Sequence, residues 1–207
     1  MLRKTVLALG AALVVCTGPA FAQATAMPAY YAPSRSFDEY EFGATLSFPD
    51  YEGLGVEGLF GFGYKNFDFE VRGGMFDPGE GIDASGTLGV TGRYKVISHT
   101  ENFPLDGAVV AGIGAWLFNN STALIPIGLT LGRRLQVEDS QVSIVPYAEP
   151  VLVIHTAGTG AGGDDHLMFG LGLGADFKLS QAFDVRLSVG FGDITLEGFA
   201  LSAVWVH

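Results

Sequence analysis

Charged residues recur at every second position in several segments, and they are the groups best placed to do chemistry. Asp68, Glu70 and Arg72 follow this spacing, as do Asp184 and Arg186. Because side chains of a β-strand alternate between two faces, such charges share one face. Buried charges persist only when they are paired or wet, so we predict a network that either has a structural role or gates a narrow pore. Its members are Glu41, Glu57, Asp68, Glu70, Arg72, Arg93, Lys95, Arg134, Glu149, Asp176, Lys178, Asp184 and Arg186.

Two other motifs are weaker candidates for chemistry. The run Asp164-Asp165-His166 contains groups that can act as a general base or hold a divalent cation. Spacing places no second acid–base group beside this run, so we predict no catalytic residues, no metal site and no cofactor. Residues 158–163 fit the spacing GxGxxG, but no helix follows them to hold a phosphate, and we interpret them as a loop.

The elements that must position these groups are β-strands. The stretch FDVRLSVGF, Phe183–Phe191, alternates strictly between apolar and polar or small residues, which is typical of a strand with two different faces. Three prolines, Pro126, Pro146 and Pro150, interrupt two of the runs and leave eight strands as an alternative to ten. The ten predicted runs are 40–48, 56–64, 67–75, 84–96, 105–117, 123–134, 142–155, 167–179, 182–191 and 196–206.

Composition indicates which face of these strands points outward. The chain is 48% hydrophobic, only 16% charged, and contains 30 glycines. The polar face carries mostly tiny residues and charges, which suits the narrow interior of a barrel. The other face carries Phe, Leu, Val and Ile, which would overfill such an interior but suit contact with lipid. We therefore predict that Phe183, Val185 and Leu187 face acyl chains.

The first residues predict export from the cytoplasm. Arg3 and Lys4 precede a short apolar run, and residues 20–22 form a small-x-small cleavage site, so residues 1–22 are predicted to be a signal peptide. Its removal takes away Cys16, the only cysteine, and leaves 9 basic against 22 acidic residues, a net charge of −13. This balance disfavours nucleic acid as a partner. We predict a flexible N-terminal lead-in over residues 23–36 and a barrel over residues 37–207.

Together, the signal peptide, the alternating strands, the glycine-rich face and the closing run EGFALSAVWVH resemble small outer-membrane β-barrels of Gram-negative-type bacteria. The resemblance implies an all-β, closed, antiparallel, up-and-down transmembrane β-barrel that contacts outer-membrane lipid. It also implies the barrel-assembly machinery as a partner during insertion. That machinery usually reads a terminal aromatic residue; here Phe199, Leu201 and Trp205 keep the alternation, and the last residue is His207.

We predict a non-enzymatic role in the cell outer membrane, either structural or as a narrow, porin-like pore for small solutes. One alternative is a hydrolase or protease acting at the rim, carried by residues 164–166. Another is a soluble secreted β-barrel that binds a small apolar ligand. The run 142–155 is apolar on both faces, with Val145, Val151 and Val153 on the inner one. These valines either form a binding patch for such a ligand or pack locally against Trp116 or Tyr147.

Overall fold

The protein is all-β. The computed structural model describes residues 24–25, 27–33, 39–50, 53–79, 81, 83–117, 122–156, 166–192 and 197–207. Among these residues, no helix is long and apolar enough to cross a membrane. The strands are β1 Tyr40–Pro49, β2 Leu54–Tyr64, β3 Phe67–Asp77, β4 Ser85–Ile97, β5 Asp106–Leu117, β6 Thr122–Gly132, β7 Leu135–Gln136, β8 Ser143–Thr156, β9 His166–Lys178, β10 Phe183–Gly192 and β11 Gly198–Val206.

Ten long strands form a closed, antiparallel, up-and-down barrel, as the sequence predicts. Consecutive long strands pair with each other, and the pairing of β6 with β8 makes the sheet continuous across the short β7. The first and last strands close the ring, with Glu41 opposite Val206 and Pro49 opposite Gly198. Closure satisfies the backbone groups that an open sheet would leave unpaired at its edges. The alternative of eight strands is wrong.

The barrel has two distinct ends. At the proximal end β1 begins and β11 ends, and the backbones of Tyr40 and His207 exchange two hydrogen bonds of 2.9 and 2.8 Å. The tight Lys65-Asn66 turn lies at this end, between β2 and β3. At the distal end β8 ends at Thr156 and β9 begins at His166, and β10 ends at Gly192 and β11 begins at Gly198. Residues 157–165 and 193–196 lie outside the described residues.

The prolines are accommodated inside strands because each one interrupts the ladder on one side only. The register of β5 with β6 skips from Ala111–Ile127 to Gly114–Leu124, next to Pro126. The register of β8 with β9 runs unbroken through Pro146 and Pro150. Proline lacks an N–H donor but keeps its carbonyl, so a strand can hold one where a neighbouring bond is already absent.

The two faces of the sheet divide by polarity in the predicted sense. Leu187 and Phe191 are 42% and 48% exposed on the outside, whereas Arg72 and Asp184 are 4% and 2% exposed on the inside. The alternation of apolar and polar residues along each strand produces this division. It also fixes the register, because a one-residue shift would move every side chain to the opposite face. The protein therefore has an apolar exterior and a charged interior, the reverse of an ordinary water-soluble protein.

The barrel encloses part of its own N-terminal region, which we call the lumenal segment: residues 24–25 and 27–33. Ala24, Met27, Tyr30 and Tyr31 are all at most 4% exposed. The sequence predicts a flexible lead-in over residues 23–36, and the described part of that range is instead packed inside the barrel. The difference arises because the segment has no periodicity of its own; its packing depends on a cavity that only the closed sheet creates.

Candidate functional site

The interior of the barrel is the candidate functional site, since it collects most of the charged groups that alternation singles out. Three arginines, Arg72, Arg93 and Arg186, organise the carboxylates around them. The predicted residues that are fully buried in the interior are Glu41, Glu57, Asp68, Glu70, Arg72, Arg93, Glu149, Asp176, Asp184 and Arg186. Buried charges of this kind persist only where partners compensate for the loss of water.

Arg72 of β3 joins carboxylates from two strands. Its Nη2 and Nε donate to Glu70 Oε1 at 2.8 and 3.0 Å, and its Nη1 lies 3.5 Å from Glu57 Oε2 on β2. Glu57 also accepts a hydrogen bond of 2.9 Å from the Thr87 hydroxyl on β4. Glu70 and Arg72 are two residues apart on one strand, so the spacing in the sequence places them side by side.

Arg93 of β4 is paired with Asp68 of β3. The two residues are direct neighbours in the register of these strands. Arg93 Nε donates to Asp68 Oδ1 at 2.9 Å, and its Nη2 contacts the same oxygen. Both side chains are fully buried, so removal of either partner leaves the other charge uncompensated.

Arg186 of β10 connects three carboxylates. It donates two hydrogen bonds to Glu41 of β1, lies 3.4 Å from Asp184 Oδ2 on its own strand, and lies 3.8 Å from Asp176 Oδ2 on β9. Lys178 Nζ, at the proximal end of β9, is 4.0 Å from Asp184. Carboxylates therefore outnumber cations around Arg186.

The remaining predicted members lie at the proximal rim or outside it. Lys95 Nζ is 3.7 Å from Asp106 Oδ1, and His99 Nδ1 is 3.1 Å from the other oxygen of that carboxylate. The predicted network did not include either residue: Asp106 is the first residue of β5, and His99 lies in the connection between β4 and β5, outside the alternation. Arg134 differs from the prediction: β6 ends at Gly132, so Arg134 leaves the alternation and is exposed.

Tyr31 of the lumenal segment lies among these charges. Its hydroxyl donates to Glu70 Oε1 at 3.1 Å and lies 3.3 Å from Thr91 Oγ1. The guanidinium carbons of Arg93 and Arg72 are 4.7 and 5.8 Å from the centre of its ring, within the range of cation–π attraction. Tyr31 therefore links the segment to two of the three arginines.

The backbone of the segment is also tied to the wall. Tyr31 N donates to Glu149 Oε2 at 2.7 Å, and Thr130 Oγ1 donates to Tyr31 O. Tyr147 Oη donates to Tyr30 O at 3.0 Å. Nearer the distal end, Trp116 Nε1 donates to the carbonyl oxygen of Thr25 at 2.8 Å. The segment replaces water as the hydrogen-bonding partner of these buried groups.

Tyr30 fills the apolar patch of the interior. Val145, Val151 and Val153, which the sequence places on the inner face, pack with Tyr30 and Tyr147 in one buried cluster that Trp116 also contacts. Of the two interpretations of these valines, local packing is the one observed. The protein's own tyrosine occupies the patch that an apolar ligand would need.

Glycines in the wall provide the space for the segment. A side chain at Gly172 would overlap the ring of Tyr30, one at Gly55 would meet Met27 Sδ at 2.7 Å, and one at Gly89 would meet Ala24 Cβ at 2.8 Å. These glycines are visible in the sequence as part of the small inner face. This small inner face was the signal in the sequence that the interior has room for a further element.

The other predicted motifs lie almost entirely outside the described residues. Asp164 and Asp165 lie outside the described residues, as does the glycine-rich run before them. In the described part of the chain, no group of three or more His, Cys, Asp or Glu side chains is arranged to hold a metal ion. Comparison of the chain with protein-family models and with curated proteins finds no match to either.

Proposed function

We propose that this chain is a non-enzymatic protein of the bacterial outer membrane, exported by its N-terminal signal peptide and inserted by the barrel-assembly machinery. The observation that carries the proposal is the reversed polarity of the barrel. Arg93 and Glu41 are at most 1% exposed, while large apolar side chains cover the outside. An apolar exterior of this extent is unfavourable in water and favourable in hydrocarbon. A protein surrounded by hydrocarbon must also pair all its backbone polar groups internally, as a closed barrel does.

The outward aromatic residues support a membrane setting. Near the proximal end, the rings of Phe67 and Tyr94 meet at a tilt with 4.6 Å between ring centres, and Phe183 contacts Trp205 at 4.9 Å. Near the distal end, Phe48 stacks on Phe199 at 4.6 Å. Aromatic residues at both ends of an apolar band are typical of barrels whose rims lie at the two membrane–water interfaces.

The filled interior supports a closed barrel at rest. The lumenal segment extends from the neighbourhood of Trp116 to Pro33, which lies against Gly132 at the proximal end. An open pore for solutes needs a continuous water-filled path, and the segment occupies the space where that path would run. We therefore propose that the resting protein has a structural role or conducts very little.

The test is fractionation combined with a heat-shift gel. We expect the protein to stay with membranes until detergent is added, because its exterior must leave water. We also expect the unheated protein to resist SDS and to migrate differently from the heated protein, since closed barrels are stabilised by uninterrupted backbone pairing. Recovery in the soluble fraction without detergent would contradict the proposal. Heated protein is the matched control for the gel.

A further inference from the structure

We propose that the lumenal segment is a gate, and that its release opens a cation-selective passage through the barrel. This inference rests on the proposed membrane location. Three features of the interior carry it: the way the segment is attached, the glycines behind it, and the balance of charge around it.

The attachment of the segment is suited to release. No described residue of the segment belongs to a strand, so it makes no ladder with the wall. It is held by separate side-chain hydrogen bonds, such as those of Ser188 Oγ with Pro28 O at 2.7 Å and of Arg93 Nη1 with Ala32 O at 3.4 Å. Within the described residues, the buried hydroxyls of Thr25 and Tyr30 have no hydrogen-bond partner, which leaves the fit incomplete.

The glycines behind the segment keep a passage available when it leaves. Gly114 and Gly89 lie behind Ala24, Gly172 lies behind Tyr30, and Gly132 lies beside Pro33. Their strands place them at successive levels between the distal and proximal ends. Glycine has no side chain that could rotate into the vacated space, and backbone pairing fixes the wall behind it. Departure of the segment would therefore leave a channel along the barrel instead of a collapsed core.

The charge around this passage favours cations. Eight carboxylates and three guanidinium groups are buried among the described residues. Glu149, for example, accepts a hydrogen bond from the Tyr31 amide, and Glu70 accepts one from its hydroxyl. Release of Tyr31 removes one hydrogen bond from each of these carboxylates, while Glu70 keeps its hydrogen bonds with Arg72. Rings of carboxylates select cations over anions in narrow pores.

Tyr31 is the residue on which closure most depends, because it contacts the wall through its amide, its carbonyl, its ring and its hydroxyl. The test uses the otherwise intact chain with residues 24–33 deleted, together with Tyr31→Ala. Tyr64→Ala, which removes an exposed tyrosine at the proximal end, is the matched control. Each protein is checked for folding by the heat-shift gel and then added to a planar bilayer under a gradient of KCl.

We expect the intact protein and Tyr64→Ala to be closed, and the deletion to conduct with a reversal potential displaced toward that of K⁺. Tyr31→Ala should raise the open fraction by about tenfold or more, because loss of a hydrogen bond to a charged group shifts an equilibrium by that order. A folded, inserted deletion variant that does not conduct, or that prefers Cl⁻, would overturn the inference.

A second measurement decides the gate without a bilayer. Thr91→Cys places a thiol on the wall beneath the Tyr31 hydroxyl, and the only natural cysteine, Cys16, lies in the predicted signal peptide. In detergent, the deletion and Tyr31→Ala should each make this thiol react faster, and more so with a trimethylammonium reagent than with a sulfonate reagent. Equal reactivity with and without the segment would contradict the gate. Failure of the intact protein to enter vesicles would instead contradict the proposed membrane location.

Discussion

At the scale of single residues, the interior is organised by three arginines, each of which has at least one carboxylate within hydrogen-bonding distance. Arg72 contacts Glu70 and Glu57, and Arg186 contacts carboxylates on three strands. The planar guanidinium group offers five donors, so one arginine can satisfy several acceptors that a lysine could not. The pairing of Arg93 with Asp68 is the simplest of these units and is the best place to measure what a buried pair contributes.

Asp68→Ala should lower the free energy of unfolding by about 3–5 kcal/mol, because it leaves Arg93 buried without its partner. The double variant Asp68→Leu, Arg93→Met should recover most of that loss, since apolar side chains of similar volume need no partner. Urea unfolding in lipid vesicles measures both changes. Lys95→Ala, at the half-exposed rim, is the control and should cost about 0–1 kcal/mol. A double variant as unstable as Asp68→Ala would contradict this interpretation.

At the scale of elements, most strands could be predicted from alternation alone. The run 67–75 is observed as Phe67–Asp77, and the run 183–191 within β10 keeps every residue on its predicted face. Alternation is readable because each strand has one apolar and one polar face. The lumenal segment could not be predicted this way: its contacts come from strands far away in the sequence, and its Ala and Pro residues carry no period.

The fit between β9 and the lumenal segment is testable by adding one methyl group. Gly172→Ala places a Cβ within the ring of Tyr30, so the segment must shift while the backbone ladder of β9 is retained. We expect faster hydrogen exchange over residues 27–33, measured by mass spectrometry. Gly58→Ala, where the nearest atom to the new Cβ is Gly73 O at 3.9 Å, should leave that exchange unchanged. Equal exchange in the two variants would contradict the observed packing.

At the scale of the whole molecule, the stability of the barrel depends on a solvent in which its apolar exterior is favourable. Leu187, Val189 and Phe199 are each more than 40% exposed, and they belong to a band that surrounds the barrel. A soluble monomer seldom exposes an apolar surface that is continuous over so many strands. In the proposed lipid environment, acyl chains solvate this band.

A charge placed in the middle of the band should cost more than one placed at its edge. In vesicles, Leu187→Arg should lower the free energy of unfolding by about 2–4 kcal/mol, and Tyr40→Arg at the proximal end by about 0–1 kcal/mol, because the cost depends on depth in the bilayer. Reversible urea unfolding of both variants provides the comparison. Equal costs at the two positions would indicate an exterior wetted by water.

The pairing of β1 with β11 has a consequence for the time course of biosynthesis. Thr45 and Ser202, which meet across this pair at 2.8 Å, are separated by 157 positions along the chain. The ring therefore cannot close until β11 has been synthesised, and until then β1 exposes unpaired backbone groups along one edge. The newly made protein therefore needs a chaperone during that interval. Variants that weaken the pairing of β1 with β11 should first lower the yield of folded protein.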